Sequence, residues 1–121
     1  MRLKPYRDTA GKLTIGVGRN LDDVGVSDAE ADVLLANDVA RVMAGLDRDA
    51  PWWREMTEPR QRALANMAFN LGPSGLSRFV ALLAALQAGR YAAAADEATN
   101  SLWARQVGAR ATRIAGLLRA G

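Results

Sequence analysis

The chain has 121 residues, enough for one domain, because single domains commonly run from about 50 to 250 residues. Half of the residues are apolar and 24% are charged, which is typical of a globular protein; the absence of Cys and His excludes disulfides, thiol nucleophiles, zinc fingers and imidazole bases. The net charge is +3, and residues 61–121 hold seven arginines against only Asp96 and Glu97, so this half should attract anions such as nucleic acid, acidic lipid or anionic wall polymers.

The N-terminal residues predict a β-hairpin. Two short extended segments, residues 5–7 and 13–18, flank the sequence Asp8-Thr9-Ala10-Gly11, whose residue types are typical of turns. Residues 19–26 show no usable period, and we expect them to form a loop.

A long helix is predicted next. Ser27 and Glu30 fit a capping box, in which a hydroxyl and a carboxylate satisfy the free amides at a helix N-terminus. The helix should span residues 27–46, because apolar side chains recur there at mostly three- and four-residue steps: Val33, Leu34, Leu35, Val39, Val42, Met43 and Leu46.

The remaining residues predict a helical lobe. A short helical turn at residues 51–53 precedes a helix that Thr57 caps and that residues 72–75 end. Further helices are expected over residues 76–88, 91–99 and 108–120. Trp52, Trp53 and Trp103 are able to stack on sugar rings, but large aromatics beside helical stripes are more often core, and we assign these three, Phe69 and Phe79 to the core.

The predicted fold class is α+β and mainly helical, in a single domain over residues 1–121. It consists of a small hairpin lobe (residues 1–26), a connecting helix (27–46) and a helical lobe (47–121). The longest apolar run is far shorter than the roughly 20 residues that span a bilayer, and no signal peptide is visible, so we expect no membrane insertion.

The hairpin places two chemically useful groups near each other. Asp8 lies beside the turn and Thr14 lies on the returning strand, so a carboxylate and a hydroxyl meet at one rim, where they are able to hold a water molecule. A carboxylate that deprotonates water is one half of inverting glycoside hydrolysis; the other half is a protonated carboxylic acid across the scissile bond. Spacing alone does not separate this role from that of an ordinary turn aspartate, which accepts hydrogen bonds from nearby amides.

Three blocks of sequence carry a family resemblance. They are the hairpin over residues 3–19, the segment over residues 62–72 with Gly75 and Phe79, and the segment over residues 103–113. In this order and spacing they resemble the phage-type lysozymes, the endolysin muramidases of tailed phages and prophages. The resemblance covers essentially the whole chain.

The resemblance implies a two-lobed lysozyme fold with a substrate cleft, which cuts bacterial peptidoglycan between N-acetylmuramic acid and N-acetylglucosamine. It implies that Asp8 and Thr14 are catalytic and activate water. It implies that Asn70 contacts the sugar, and that Arg110 is the arginine that pairs with the catalytic acid, so both are assigned to substrate binding. We expect a monomer with no metal, no cofactor and no nucleic-acid partner, made in the cytoplasm of a bacterial host from a phage or prophage gene and acting on the cell wall.

The general acid is the point of departure from the family. The resemblance implies a Glu followed by Gly about nine positions before Asp8, which falls before Met1, and the nearest carboxylates in sequence (Asp22, Asp23 and Glu30) have no reason to face Asp8. Two interpretations follow: a longer frame that encodes the Glu, or a degenerate lysozyme that binds glycan without cutting it. A basic helical nucleic-acid binder is a third possibility, although the arginines are dispersed and no nucleic-acid-binding module is visible.

Overall fold

The computed structural model describes the backbone of residues 1–121 and the side chains of all of them except Pro73 and Leu102. Over this part of the chain there are three strands, six α-helices and one 3-10 helix, which confirms the mainly helical α+β class. In chain order they are β1 (Arg2–Arg7), β2 (Leu13–Gly16), β3 (Arg19–Asn20), α1 (Asp28–Asp49), the 3-10 helix (Pro51–Glu55), α2 (Glu58–Ser77), α3 (Val80–Gln87), α4 (Tyr91–Thr99), α5 (Leu102–Val107) and α6 (Ala109–Ala120).

The chain divides into two compact units, Met1–Asn37 and Asp38–Gly121, with the boundary inside α1. The finer division into residues 1–26, 27–46 and 47–121 stays a prediction. Within the described residues, no helix is both long enough and apolar enough to cross a membrane.

The first unit contains a three-stranded antiparallel sheet in the order β1-β2-β3. Thr14, on the central strand, pairs with Tyr6 on one side and Asn20 on the other. The loop predicted over residues 19–26 is therefore wrong at its start, where β3 forms. A tight turn with Gly16 and Gly18 at positive φ (68° and 83°) folds the chain back onto β2, and glycine adopts this conformation without steric cost.

The capping box at the start of α1 is confirmed. The Glu30 amide donates to Ser27 Oγ (3.1 Å), and the Ser27 amide donates to Glu30 Oε1 (2.9 Å). Both nitrogens of the Arg19 fork, Nη1 and Nη2, donate to the Glu30 carboxylate at 2.8 and 2.7 Å, which joins β3 to the helix. Chiefly through these hydrogen bonds from Arg19, the pKa of Glu30 is lowered from 4.5 to about 2.

α1 extends beyond its predicted end at residue 46, to Asp49. Of its apolar residues Leu46 is buried, and Val42 and Met43 are partly buried against the core of the second unit. Four large apolar residues earlier in the helix are between 41% and 60% exposed: Val33, Leu34, Leu35 and Val39.

The hydrophobic core belongs entirely to the second unit among the described residues, and Leu64, Met67, Leu82 and Leu118 are its largest fully buried side chains. Trp53 and Trp103 are each 3% exposed, which confirms their core assignment, and Trp52 and Phe79 pack partly buried against the core. The core assignment of Phe69 is wrong, because its side chain is 46% exposed. Phe69 follows the buried Met67 by two residues, a rotation of about 200° that carries it to the outer face of α2.

The helices after residue 57 differ from prediction in three places. Thr57 is the N-cap of α2 by position, but its side chain makes no capping hydrogen bond. Gly72 has a positive φ of 74° that interrupts the helical geometry, yet α2 resumes to Ser77, so α3 begins only at Val80. α5 was not predicted; its N-terminus is capped by Ser101, whose Oγ accepts the Ala104 amide at 3.2 Å.

Replacing a fully buried leucine should test this core directly. We expect Leu64→Ala to lower the free energy of unfolding by about 2 to 5 kcal/mol, because it removes buried methyl groups and leaves a cavity. Leu117→Ala, the same change at a 37% exposed position of α6, should cost much less. Urea denaturation of both variants measures the difference, and equal losses would contradict the burial described above.

The Arg19–Glu30 pair should make stability depend on acid pH. Because the folded-state pKa lies below the ordinary value of 4.5, the pair stabilises the fold above that pH, and its contribution is lost as the pH falls towards 2. The difference in urea midpoint between the unaltered chain and Glu30→Gln should therefore be largest above pH 4.5 and shrink below it. Asp32→Asn, a charge removal on the same helix, is the control; a difference for Glu30→Gln that stays constant between pH 6 and pH 2.5 would refute this linkage.

Candidate functional site

Asp8 is held by the turn that it precedes. Its Oδ1 accepts the amides of Ala10 (2.9 Å) and Lys12 (2.8 Å), while its own amide donates to Lys12 O (2.9 Å). Gly11 completes the turn at a φ of 79°. Oδ2 accepts no hydrogen bond from any residue that the structure describes, so this oxygen is available to a donor from outside the turn.

Thr14 is 3% exposed, and its hydroxyl has a defined direction. Its Oγ1 donates to Lys12 O at 2.8 Å, so towards any further group the oxygen acts only as an acceptor. Thr14 pairs with Tyr6, and Asp8 follows Tyr6 by two residues, which continues the same face of the hairpin. Asp8 and Thr14 are thus both hydrogen-bonded to the backbone of one residue, Lys12. That their side chains act together on a water molecule stays a prediction.

The three carboxylates nearest to this pair in sequence are each engaged elsewhere. Asp22 Oδ2 accepts the Leu13 amide at 2.7 Å and lies 3.6 Å from Arg7 Nη1. Asp23 accepts hydrogen bonds from Lys12 Nζ (3.2 Å) and Asn20 Nδ2 (3.0 Å). With its pKa lowered to about 2, Glu30 is ionised at neutral pH and has no proton to donate.

Asn70 and Arg110 belong to the other unit, on α2 and α6, two helices that pack against each other. Asn70 Oδ1 accepts the indole Nε1 of Trp103 at 2.8 Å, and the Trp103 ring meets Phe79 edge to face with centroids 6.4 Å apart. Asn70 therefore orients a buried tryptophan with its side-chain oxygen. Its side-chain amide nitrogen is the group left to contact another molecule. The Arg110 side chain is exposed and forms no ion pair or hydrogen bond within the described part of the chain.

Two features of the second unit were not predicted. The Asp47 carboxylate accepts hydrogen bonds from Trp53 Nε1 at 2.7 Å and from Arg54 Nε at 2.8 Å. The hydrogen bond from Arg54, and after it the one from Trp53, lower the pKa of Asp47 to about 2. A groove of about 460 Å³ lies along the second half of α1, and its apolar lining includes Val42, Leu46, Ala68, Phe69, Leu76 and Leu83. Phe69 lines this groove and is exposed. It was the one residue in the sequence that could have indicated the groove, but its apolar character suggested the core instead.

Over the described residues, no group of three or more Asp and Glu side chains is arranged to hold an ion. On the hairpin, the groups with side-chain oxygens that the sequence singled out are the Asp8 carboxylate and the Thr14 hydroxyl.

Comparison with known proteins assigns the chain to a family. The family model described as phage lysozyme matches residues 1–120. The chain is 31% identical to the pre-baseplate central spike protein Gp5 of Enterobacteria phage T4 over all of its own length, which is 26% of that protein. It is 39% identical to the SAR-endolysin of Escherichia phage Mu over 83% of the chain and 58% of that protein.

A third relative is covered more fully. The probable T4-type lysozyme 2 of Dictyostelium discoideum is 26% identical over 99% of the chain and 88% of that protein. The chain thus spans about a quarter of the phage T4 relative and most of the Dictyostelium one. With its match to the family model over residues 1–120, the chain belongs to the phage lysozyme family.

Proposed function

We propose that the chain is a peptidoglycan muramidase of the endolysin type, which hydrolyses the bond between N-acetylmuramic acid and N-acetylglucosamine. Family membership supports a glycoside hydrolase at the level of the family, and relatives named lysozyme and endolysin support a muramidase-type function. The observation that carries the proposal for this chain is the coupling of Asp8 and Thr14 through Lys12 on one hairpin.

The hairpin would act on a water molecule. Asp8 Oδ2 accepts a hydrogen bond from one O–H of the water, and Thr14 Oγ1 accepts a hydrogen bond from the other. Thr14 acts as an acceptor because its own hydroxyl proton is donated to Lys12 O. The lone pairs of the water then point away from the hairpin, towards the anomeric carbon of a bound sugar. As the new C–O bond forms, Asp8 takes a proton and the glycosidic oxygen departs from the opposite face, so the configuration is inverted.

Protonation of the departing oxygen is a separate requirement. The contacts of Asp22, Asp23 and Glu30 support the proposal that none of these three is the donor, because Glu30 is ionised and the two aspartates are bound within the hairpin's own hydrogen bonds. Cleavage of the natural linkage then depends on a donor other than these three carboxylates.

Asn70 and Arg110 are proposed to bind substrate. The Asn70 carbonyl is engaged by Trp103, so its amide nitrogen would donate to a sugar oxygen. Arg110 is exposed and would attract carboxylates of the wall polymer. We propose that the chain acts as a monomer on the wall of a bacterial host, after synthesis in the host cytoplasm, with no nucleic-acid partner.

A second candidate function is glycan binding without cleavage. The carboxylates of Asp22, Asp23 and Glu30 are bound in other contacts, and this favours the second function. A site that binds sugar and activates water but lacks a proton donor does not cut an unactivated glycosidic bond efficiently.

A substrate that needs no proton donor tests the role of Asp8 separately from that of the donor, and cleavage of purified walls separates the two functions. We expect the 4-methylumbelliferyl glycoside of the N-acetylglucosamine–N-acetylmuramic acid disaccharide to be hydrolysed, because the aryl group leaves as a weakly basic phenolate. Asp8→Asn should lower kcat by about 100-fold or more, since its amide oxygen still accepts the turn amides but the base is gone. Released fluorescence gives the rates, and Asp23→Asn, a neighbouring charge removal, should leave them nearly unchanged.

Each outcome decides between the candidates. Hydrolysis of the aryl glycoside that Asp8→Asn does not slow would sink the proposed mechanism. Sedimentation with purified walls, together with no cleavage of those walls, would instead establish the binding function.

A further inference from the structure

We propose that Asp22 is a positioning residue, which fixes the direction of the Thr14 hydroxyl through the peptide group between Lys12 and Leu13. The inference rests on the proposed function of Asp8 and Thr14. All the residues involved lie in the unit Met1–Asn37.

The Asp22 side chain provides one hydrogen-bond acceptor that a longer neighbouring strand would otherwise provide. Leu13 turns both of its backbone groups away from β1: its carbonyl accepts the Leu21 amide at 2.7 Å, and its amide donates to Asp22 Oδ2, also at 2.7 Å. Regular pairing of β2 with β3 involves only Thr14 and Ile15 with Asn20 and Arg19. The Asp22 carboxylate therefore supplies the acceptor that the end of the short β3 does not provide.

The peptide that Asp22 holds is also the one that orients Thr14. Lys12 O accepts the Asp8 amide at 2.9 Å and the Thr14 hydroxyl at 2.8 Å, and the N–H of the same planar unit is the one bound by Asp22. Because a peptide group is planar, fixing its N–H fixes the direction of its carbonyl. A charged acceptor on the N–H also polarises the unit and makes Lys12 O a better acceptor for the hydroxyl.

Arg7 limits the movement of Asp22. Arg7 Nη1 donates to Gly11 O at 3.2 Å and lies 3.6 Å from Asp22 Oδ2, so one guanidinium joins the carboxylate to the turn. The two side chains are 67% and 42% exposed, and exposed ion pairs contribute little to global stability. We therefore expect loss of Asp22 to change the geometry of the hairpin rather than to unfold the chain.

The adjacent Asp23 provides a matched control. It has the same charge on the same loop, but its carboxylate contacts the side chains of Lys12 and Asn20 and not the Lys12–Leu13 peptide. Removing Asp23 should leave the Thr14 hydroxyl in place.

The test measures the rotamer of Thr14 in the full chain. In Asp22→Ala we expect three-bond couplings to show averaging about χ1 of Thr14 and faster hydrogen exchange at the Leu13 amide. Asp22→Asn retains an acceptor oxygen and should restore both values to nearly those of the unaltered chain, whereas Asp23→Ala should change neither. Asp22→Ser, whose hydroxyl is too short to reach the amide, is a second variant that should behave like Asp22→Ala.

Hydrolysis of the aryl glycoside supplies the functional readout. Asp22→Ala should lower kcat by about 10- to 100-fold with KM nearly unchanged, because the water is misplaced while the sugar contacts remain. An unaltered Thr14 rotamer in Asp22→Ala and Asp22→Ser would overturn the proposal.

The two proposals fail in different ways. If Asp8→Asn slows hydrolysis and Asp22→Ala does not, the positioning role is wrong and the proposed function stands. If the unaltered chain hydrolyses nothing but Thr14 still reorients in Asp22→Ala, the proposed function fails and the positioning of the hydroxyl stands.

Discussion

The two oxygens of the Asp8 carboxylate differ in their hydrogen bonds, and the rest of the hairpin depends on this difference. Oδ1 accepts two backbone amides of the turn, while Oδ2 receives none from the described residues. An aspartate at this position is usually assigned to turn formation, and here one oxygen suffices for it, which leaves the other for the role proposed above. The same bonds that close the turn fix the carboxylate, so the free oxygen has a direction that a mobile side chain would lack.

For three of the described carboxyl groups, the electrostatic surroundings work against acid catalysis. A general acid at neutral pH needs a raised pKa, which burial or a like charge provides. Here the clear shifts are all downward: hydrogen bonds from arginines lower the pKa of Glu30, Asp47 and Asp49. Arg19, Arg54 and Arg48, respectively, thus keep these carboxylates ionised at neutral pH. Proton donation at neutral pH requires an environment that these three residues do not have.

Local signals in the sequence predicted much of the fold, and non-local pairings were missed. The turn at Asp8 and the Ser27–Glu30 capping box were predicted, because the groups involved are neighbours in sequence and their chemistry is fixed by residue type. β3 was missed, since two residues carry no periodicity and form a strand only by pairing with β2. The Asn70–Trp103 bond joins residues 33 positions apart, so no local pattern reveals that this amide is already engaged. Likewise, the pattern on α2 placed Phe69 near the core without showing that its direction leads outward.

α1 shows how a helix is held where packing is sparse. Isolated helices are marginal in water, and stability normally comes from a buried apolar face. The first half of this helix leaves Val33, Leu34 and Leu35 exposed, so its apolar residues contribute little there. Well-defined contacts hold both of its ends. The N-terminus has the capping box and the Arg19 fork on Glu30, and near the C-terminus Leu46 enters the core while Asp47 binds Trp53 and Arg54. Because the boundary between the units falls inside the helix, each unit supplies the contacts at one end.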